Sequence, residues 1–548
     1  MTNKAQLTVL ILLTTTLVQS CWSADDIMIA DFEGADYGTW KAEGTAFGTA
    51  PAQGAFEGQM SVGGFKGKGL VNTYLGGDGS TGKLTSSPFT IQRKFINFLI
   101  GGGKNAEALA LILRVEGKIA RTATGPNERP GGSENLEWLT WDVSDLKGKT
   151  ATLEIVDQAT GGWGHFNVDN IIQSDFSKAS TPKERKIVAS EPLLLLPIEN
   201  GGPKRNVTVS VGGEELRNFD IELADGEPDW WAKLDLTSWQ GKEVTVRVNA
   251  VPGDSRALDQ LRQSKTLPDE ATAYKEPLRG QLRFSSRVGW LNDPNGMVYS
   301  QGQYHLFYQH NPYGWDWGNM HWGHAMSSDM VHWNEMPIAL YPHSAGDMVY
   351  SGSAVVDKAN TSGWKSGPND LLVVAYTSTG RGECITYSND KGRTWTEYEG
   401  NPVIKHKGEG RDPRVLWHEP TKHWVLVVWR HDEDQKTPGD KGGMDFYTSK
   451  DLKKWTFQSR SEGWFECPDF FELPIENEQK KWVLTGASSD YRIGTFDGKK
   501  FVAERPSLRA TRGAIIMRPR PLATSPRADA CKLVGFALEL RECRSTRR

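Results

Sequence analysis

The chain has 548 residues, 38% of them hydrophobic, and a formal net charge of −4. That length exceeds one ordinary domain and points to about three, while the charge balance argues against nucleic-acid binding, which calls for a basic face. With 58 Gly, 27 Pro and 21 Trp, the composition suits a loop-rich β protein, and indole faces suit the C–H faces of sugars as well as a core.

Residues 1–24 carry a Lys near the start, an apolar run from Leu7 to Val18 and small residues after it, the pattern of a secretory signal peptide. The run is too short for a comfortable membrane span. Two readings of its end stay open: cleavage after Ser23, or a lipoprotein-type box, LVQSC, with a lipid on Cys21. Either predicts a bacterial protein exported to the periplasm, the cell surface or the medium. The five cysteines (Cys21, Cys384, Cys467, Cys531 and Cys543) do not make a disulfide framework, since one lies in the signal and two in the last segment.

From 25 to 176, short apolar runs alternate with Gly-rich turns, as in INFLIGGGKNAEALALILRVEGK. Regular turn signals with little helical periodicity predict a β-sandwich of jelly-roll type. A second β module and linker are expected over 177–275, with strands in NVTVSVGGEELRNFDIEL and a polar, partly helical linker from Asp254. Asn206, in NVT, is a glycosylation acceptor only in a host that glycosylates.

From 276 to 508 the chain repeats. SSDMVHW, SNDKGRTW and SKDLKKW share a Ser, an Asp and a Trp; Asp329, Asp390 and Asp451 stand 61 residues apart, with a weaker echo at Asp497. Equal spacing of units of about four strands predicts a β-propeller, one blade per repeat. Asp293, in GWLNDPNG, lies 36 residues before its marker. Ser351, in YSGSAVV, and Asp412, in GRDPRVLW, lie 39 before theirs, and Glu466, in FECPDFFELP, lies 31 before Asp497. Each is expected on the first strand of its blade, so that rotation about one axis brings three carboxylates together.

Three acids in an aromatic setting fit glycoside hydrolysis, where one attacks or activates water and another protonates the departing oxygen. Arg411 is expected to hold its neighbour Asp412 ionised. Phe465, Cys467 and Pro468 are expected to raise Glu466 toward the range of a general acid. The acidic stretch HDEDQKTPGD lacks the spacing of a calcium loop and is expected to be solvated. His310, His321 and His324, set among Trp and Gly, are expected to pack or to contact sugar rather than to bind metal.

WLNDPNG, RDP and ECPD, in this order, resemble glycoside hydrolase family 32, the invertases, inulinases and levanases, as do YHLFYQHNPYGWDWGNMHWGHAMSSDMVHW and YSGSAVV. The resemblance covers about 281–506 and implies an all-β enzyme with a five-bladed propeller. It implies cleavage of β-fructofuranosidic bonds by a retaining double displacement, with no metal or cofactor. Asp293 matches the nucleophile, Glu466 the acid/base and Asp412 the transition-state stabiliser. Asn292, Gln309, Trp317, Tyr350, Ser351 and Arg411 match positions that hold the terminal fructosyl unit. The expected substrate is levan or inulin, ahead of sucrose alone. A non-catalytic glycan-binding protein is the alternative, and an arabinan- or xylan-cleaving propeller enzyme a third.

Residues 509–548 turn Arg-rich and leave the family pattern, so the fifth blade and C-terminal β-sandwich that the resemblance implies are expected to be missing. Codons can be chosen for GAIIMRPRPLATSP that, read two nucleotides on, give Gly-Asn-Asn-Tyr-Ala-Ala-Gln-Thr-Phe-Ser-Asp-Ile-Pro, close to what the family carries here. A frameshifted tail and an unclosed propeller are therefore expected.

Overall fold

A computed structural model describes residues 25–509 apart from 128–133, 254, 269, 281–282, 406–407, 432–441, 475–479 and 488–489. The expected signal peptide, most of the acidic HDEDQKTPGD stretch and, from 510 on, the tail expected to be frameshifted lie outside the described residues. Those described are all β, with four short 3-10 turns and no α-helix, and no helix among them is long and apolar enough to cross a membrane.

The chain divides into two compact units: one runs to Thr181 and takes back Val251–Asp254, the other holds Pro182–Ala250 and everything from Ser255. In the first unit, one antiparallel sheet orders Ile27–Ala30, Phe166–Ser174, Phe95–Gly102 and Glu137–Asp142. A second orders Lys41–Gly44, Gly82–Thr85, Thr150–Asp157, Leu109–Val115 and Lys118–Ala123. Alternation builds the core between them. Every second residue of Thr150–Asp157 is buried, and Leu153 and Ile155 share one cluster with Leu111, Phe98 and Val168.

The second unit begins with a smaller pair of antiparallel sheets. Thr181–Val188, Glu243–Val251, Lys204–Val211 and Glu214–Glu222 form one; Trp230–Asp235, Leu193–Ile198 and Arg262–Ser264 form the other. The stretch expected to be a partly helical linker instead supplies the strand Arg262–Ser264, after the single 3-10 turn Ala257–Gln260. Gln263 fixes it there: its amide accepts from the Ser190 N–H at 2.7 Å and donates to Val188 O at 2.9 Å. The Asn206 side chain is occupied by Asn218 and Asp220.

Four further sheets follow, each antiparallel with its strands in chain order. Sheet I holds Trp290–Ser300, Gln303–Asn311, His321–Ser327 and Asn334–Leu340; sheet II holds Val349–Val356, Leu372–Ser378, Gly382–Ser388 and Thr396–Glu397. Sheet III holds Glu409–His418, His423–His431, Gly443–Ser449 and Thr456–Glu462; sheet IV holds Asp469–Pro474, Lys480–Thr485, Asp490–Phe496 and Phe501–Ala503. The repeated markers fall between the third and fourth strands, inside each unit rather than after it. Their carboxylates close the turn there. Asp329 accepts from the N–H groups of Val331 and His332, Asp390 from those of Arg393 and Thr394, and Asp451 from those of Lys453 and Lys454. The indoles of Trp333, Trp395 and Trp455 each donate back into the same turn.

Consecutive sheets pack face to face through shared clusters. Phe307 and Trp322 of sheet I meet Val374 and Tyr376 of sheet II. Val373 and Ile385 of sheet II meet Trp424 and Leu426 of sheet III, and Phe446 of sheet III meets Phe470 and Leu484 of sheet IV. The first strands of sheets I, II and III are thereby neighbours.

Candidate active site

Those first strands are irregular at corresponding places. Pairing slips between Leu291 and Pro294 in sheet I, between Tyr350 and Gly352 in sheet II, and between Arg411 and Arg414 in sheet III. Asn292 and Asp293, then Ser351, then Asp412 and Pro413 therefore stand in β-bulges. An extra residue breaks the two-residue alternation and re-aims the side chain at that point. At Gly352 a Cβ would lie 2.0 Å from the Ala375 carbonyl oxygen, so the bulge needs glycine. Glu466 is not on a strand as expected; it precedes Asp469–Pro474 by three residues. Asp412, Glu466 and Cys467 have φ of 69°, 27° and 54°. Such backbone costs a non-glycine residue about 1–3 kcal/mol and gathers at functional sites.

Each acid is held by specific partners. Ser351 Oγ donates to Asp293 Oδ2 at 2.9 Å. With its amide nitrogen turned toward Ser351, Asn295 donates to that Oγ at 3.2 Å and accepts from the Gln309 N–H at 3.3 Å. Gln309 is buried and donates from Nε2 to Val349 O at 2.9 Å, bracing sheet I against the start of sheet II. Asp412, only 1% exposed, accepts from the Cys467 N–H at 2.9 Å on Oδ2 and donates its own N–H to Thr377 Oγ1 at 3.1 Å. Arg411 Nε donates to Glu466 Oε2 at 2.9 Å, with its guanidinium 4.4 Å above the Trp429 ring.

Asp412, Glu466 and Cys467 each present an atom within 4.8 Å of the others. Tyr350 lies beside them. Burial raises its hydroxyl above the usual pKa, and the charges of Arg411, Asp412 and Glu466 reach it. Trp317 meets Tyr350 edge-on at 6.3 Å and keeps 51% of its surface exposed. The structure thus gathers Asp412, Glu466, Arg411, Tyr350 and Trp317, and ties Asp293 to Ser351, the residue after Tyr350. Asn292 lines an apolar cavity with Phe284, Pro294 and Tyr308.

Arg411 reaches across to Glu466, and Phe465 is 43% exposed and meets Trp429 edge-on at 5.5 Å. The left-handed backbone at Glu466 and Cys467 separates residues that are adjacent in sequence. Because Glu466 already holds a guanidinium and Asp412 a backbone N–H, the donor set suits proton and hydroxyl chemistry better than a divalent cation.

The histidines pack. Burial pushes His310 down to about 4 and His321 down to about 3; His310 Nδ1 donates to Trp290 O at 2.8 Å, and His324 stacks on Phe307 at 4.3 Å. Sequence reasoning missed Asn295, Cys467 and Thr377 as partners of the acids. The first two sit inside the quoted motifs, whereas Thr377 lies on a plain buried strand that carries no signal.

Residues 283–514 match the model of the glycosyl hydrolases family 32 N-terminal domain. The levanase of Bacillus subtilis (strain 168) is 47% identical over 261 residues, covering 43% of this chain and 37% of that protein. The extracellular exo-inulinase of Aspergillus niger is 37% identical over 279 residues, covering 42% of this chain and 50% of that one. The solved exo-inulinase of Aspergillus awamori is 36% identical, with a TM-score of 0.38, covering 42% of this chain and 52% of that one. The chain spans half or less of the length of the curated relatives it matches. The stretch that carries Asp293, Asp412 and Glu466 is thus similar to the N-terminal domain of glycosyl hydrolases family 32.

Proposed function

We propose that the protein is an exported retaining glycoside hydrolase that cleaves β-fructofuranosidic bonds of fructans, levan or inulin ahead of sucrose. The observation that carries this reading is the recurrence of a bulged first strand at Asp293, Ser351 and Asp412 inside a family 32 domain, with Glu466 against Arg411. The levanase and exo-inulinase likeness supports the substrate class, and the signal-like residues 1–24 support export. Sheets I–IV are four blades of a five-bladed propeller in this reading.

Asp293 attacks the anomeric carbon of the terminal fructosyl unit, with the Ser351 hydroxyl orienting its carboxylate. Glu466 protonates the departing oxygen and then draws a proton from the water that releases the sugar. Asp412, fixed by the Cys467 and Thr377 contacts, binds sugar hydroxyls as positive charge develops. Arg411 holds Glu466 in place and steadies it against rotation. Trp317 and Tyr350 form the aromatic wall.

The test is incubation of the full chain with levan, inulin and sucrose, beside its Asp293→Ala and Glu466→Ala variants. Fructose first released in the configuration of the substrate, abolished in Asp293→Ala, is the expected result. Glu466→Ala loses most activity on fructans and less on a fructoside with a good leaving group. Retention in levan gels without turnover identifies a binding protein instead, and arabinose or xylose as the only product identifies another glycosidase.

A further inference from the structure

The nine residues between the second and third strands of sheet I, 312–320, are held from outside the sheet. Phe219 stacks on Tyr313 with ring centroids 3.7 Å apart. Asp220 and Asn319 exchange two hydrogen bonds, Asn319 Nδ2 donating to Asp220 O at 2.7 Å and the Asp220 N–H donating to Asn319 Oδ1 at 2.8 Å. Trp315 Nε1 donates to Glu222 Oε2 at 2.7 Å, and Glu222 is 6% exposed and also accepts from the Gly201 N–H at 2.8 Å. All these outer partners belong to the small module that precedes sheet I.

Trp315 is nonetheless 43% exposed and Trp317 51% exposed. Two large apolar side chains left open to water two residues apart, one with its N–H tied to a buried carboxylate, are oriented rather than loose. Fixing them before a ligand arrives removes an ordering cost from binding. Trp317 stands beside Tyr350, next to Arg411, Asp412 and Glu466. Residues two apart are separated by at most about 7 Å of chain, so Trp315 lies within a sugar unit or two of Trp317.

We propose that the small module is a working part of the substrate site. Through Glu222 and Phe219 it presents Trp315 as a second stacking platform, outside the cleft, for a further sugar unit of a β-fructan chain. Indole faces take the C–H faces of furanose rings, and the platform favours polymers over disaccharides. The inference rests on the fructan-hydrolase reading, and Glu222 and Phe219 act in it as positioning residues.

The test compares the full-length wild type with Trp315→Ala, Glu222→Ala and Glu222→Gln on inulin, levan and sucrose. Hydrogen exchange of 312–320 is followed in each protein. Trp315→Ala is expected to lower the ratio of polymer to sucrose kcat/KM by about tenfold, the loss of one aromatic contact, mainly through the polymer KM. Glu222→Ala reproduces that shift and speeds exchange of 312–320, whereas Glu222→Gln, which keeps an acceptor for the indole, restores both. An unmoved ratio in Trp315→Ala, with wild-type cleavage of both substrates intact, overturns the platform and leaves the fructan reading standing. A wild type that neither cleaves nor retains any fructoside overturns the fructan reading and the platform together.

Discussion

Asp412 shows how much structure stands behind a single carboxylate. Its N–H is received by Thr377 Oγ1, and that hydroxyl donates onward to Glu383 Oε2 at 2.7 Å. Burial pushes Glu383 up to about 7 from 4.5; the Thr377 hydrogen bond and Arg430 pull it down, and the charge of Asp412 pushes it up. A carboxyl raised in the folded state binds a proton more tightly there than in the unfolded chain. Its unfavourable contribution is therefore absent below about 4.5, grows as pH rises from there to about 7 and is complete above that. Glu383→Gln removes that dependence while keeping an acceptor for Thr377. The variant is expected to gain stability over the wild type by about 3 kcal/mol at pH 8 and little at pH 4.5. Urea unfolding at the two pH values measures it; an equal difference at both would mean that Glu383 does not titrate in this range.

The repeating element is a turn. Ser388 Oγ donates to Asp390 Oδ1 at 2.7 Å, the N–H groups of Arg393 and Thr394 donate to the same oxygen at 3.0 and 2.9 Å, and Thr394 Oγ1 donates to Oδ2 at 2.6 Å. One carboxylate thus satisfies a whole strand connection, which is why Ser, Asp and Trp recur while the strands between them vary. Asp390→Ala leaves two backbone donors to water and is expected to cost about 1–2 kcal/mol, read as a lowered thermal midpoint. Asp390→Asn, which retains one acceptor, is expected to lose less. The same turn explains what the sequence made legible. A marker closing the third-to-fourth-strand turn stands at a nearly constant distance from the first strand, so Asp293, Ser351 and Asp412 could be placed by counting. Glu466, at 31 residues rather than 36 or 39, already departs from that count, and it lies ahead of its strand. The bulges were not legible, because an extra residue shows only against the strand it pairs with. Nor was the reach of Arg411 to Glu466, since positive φ at two successive residues leaves no mark in composition.

In the second unit, apolar side chains join neighbouring sheets while Asp293, Ser351 and Asp412 stand at the bulges of the first strands. The docking of the small module onto 312–320 was not legible in the sequence: its contacts pair residues about a hundred positions apart with no shared pattern. Sheet I also carries a load that sets the response of the molecule to acid. His305, His310, His321 and His324 are buried in it, and burial lowers all four: His305 and His310 to about 4, His321 to about 3, and His324 well below its usual value. His305 Nδ1 and His324 Nε2 share one hydrogen bond at 3.0 Å, so a second proton on that pair faces the first. Each group is neutral in the fold and takes a proton on unfolding near its ordinary value of 6.5. Its contribution is fully present above 6.5 and is lost as pH falls from there toward 4, opposite in sign to Glu383. By pH 5 His305, His310 and His321 are each expected to have forfeited about 2 kcal/mol, together outweighing the relief at Glu383, with His324 acting in the same direction. Calorimetric unfolding at pH 5.5 in buffers of different ionisation enthalpy should show net proton uptake, with a midpoint that drops steadily between pH 6.5 and 5. Unfolding without proton uptake would mean that these histidines are already charged in the native sheet, and that their packing against Phe307 and Trp290 is looser than the contacts indicate.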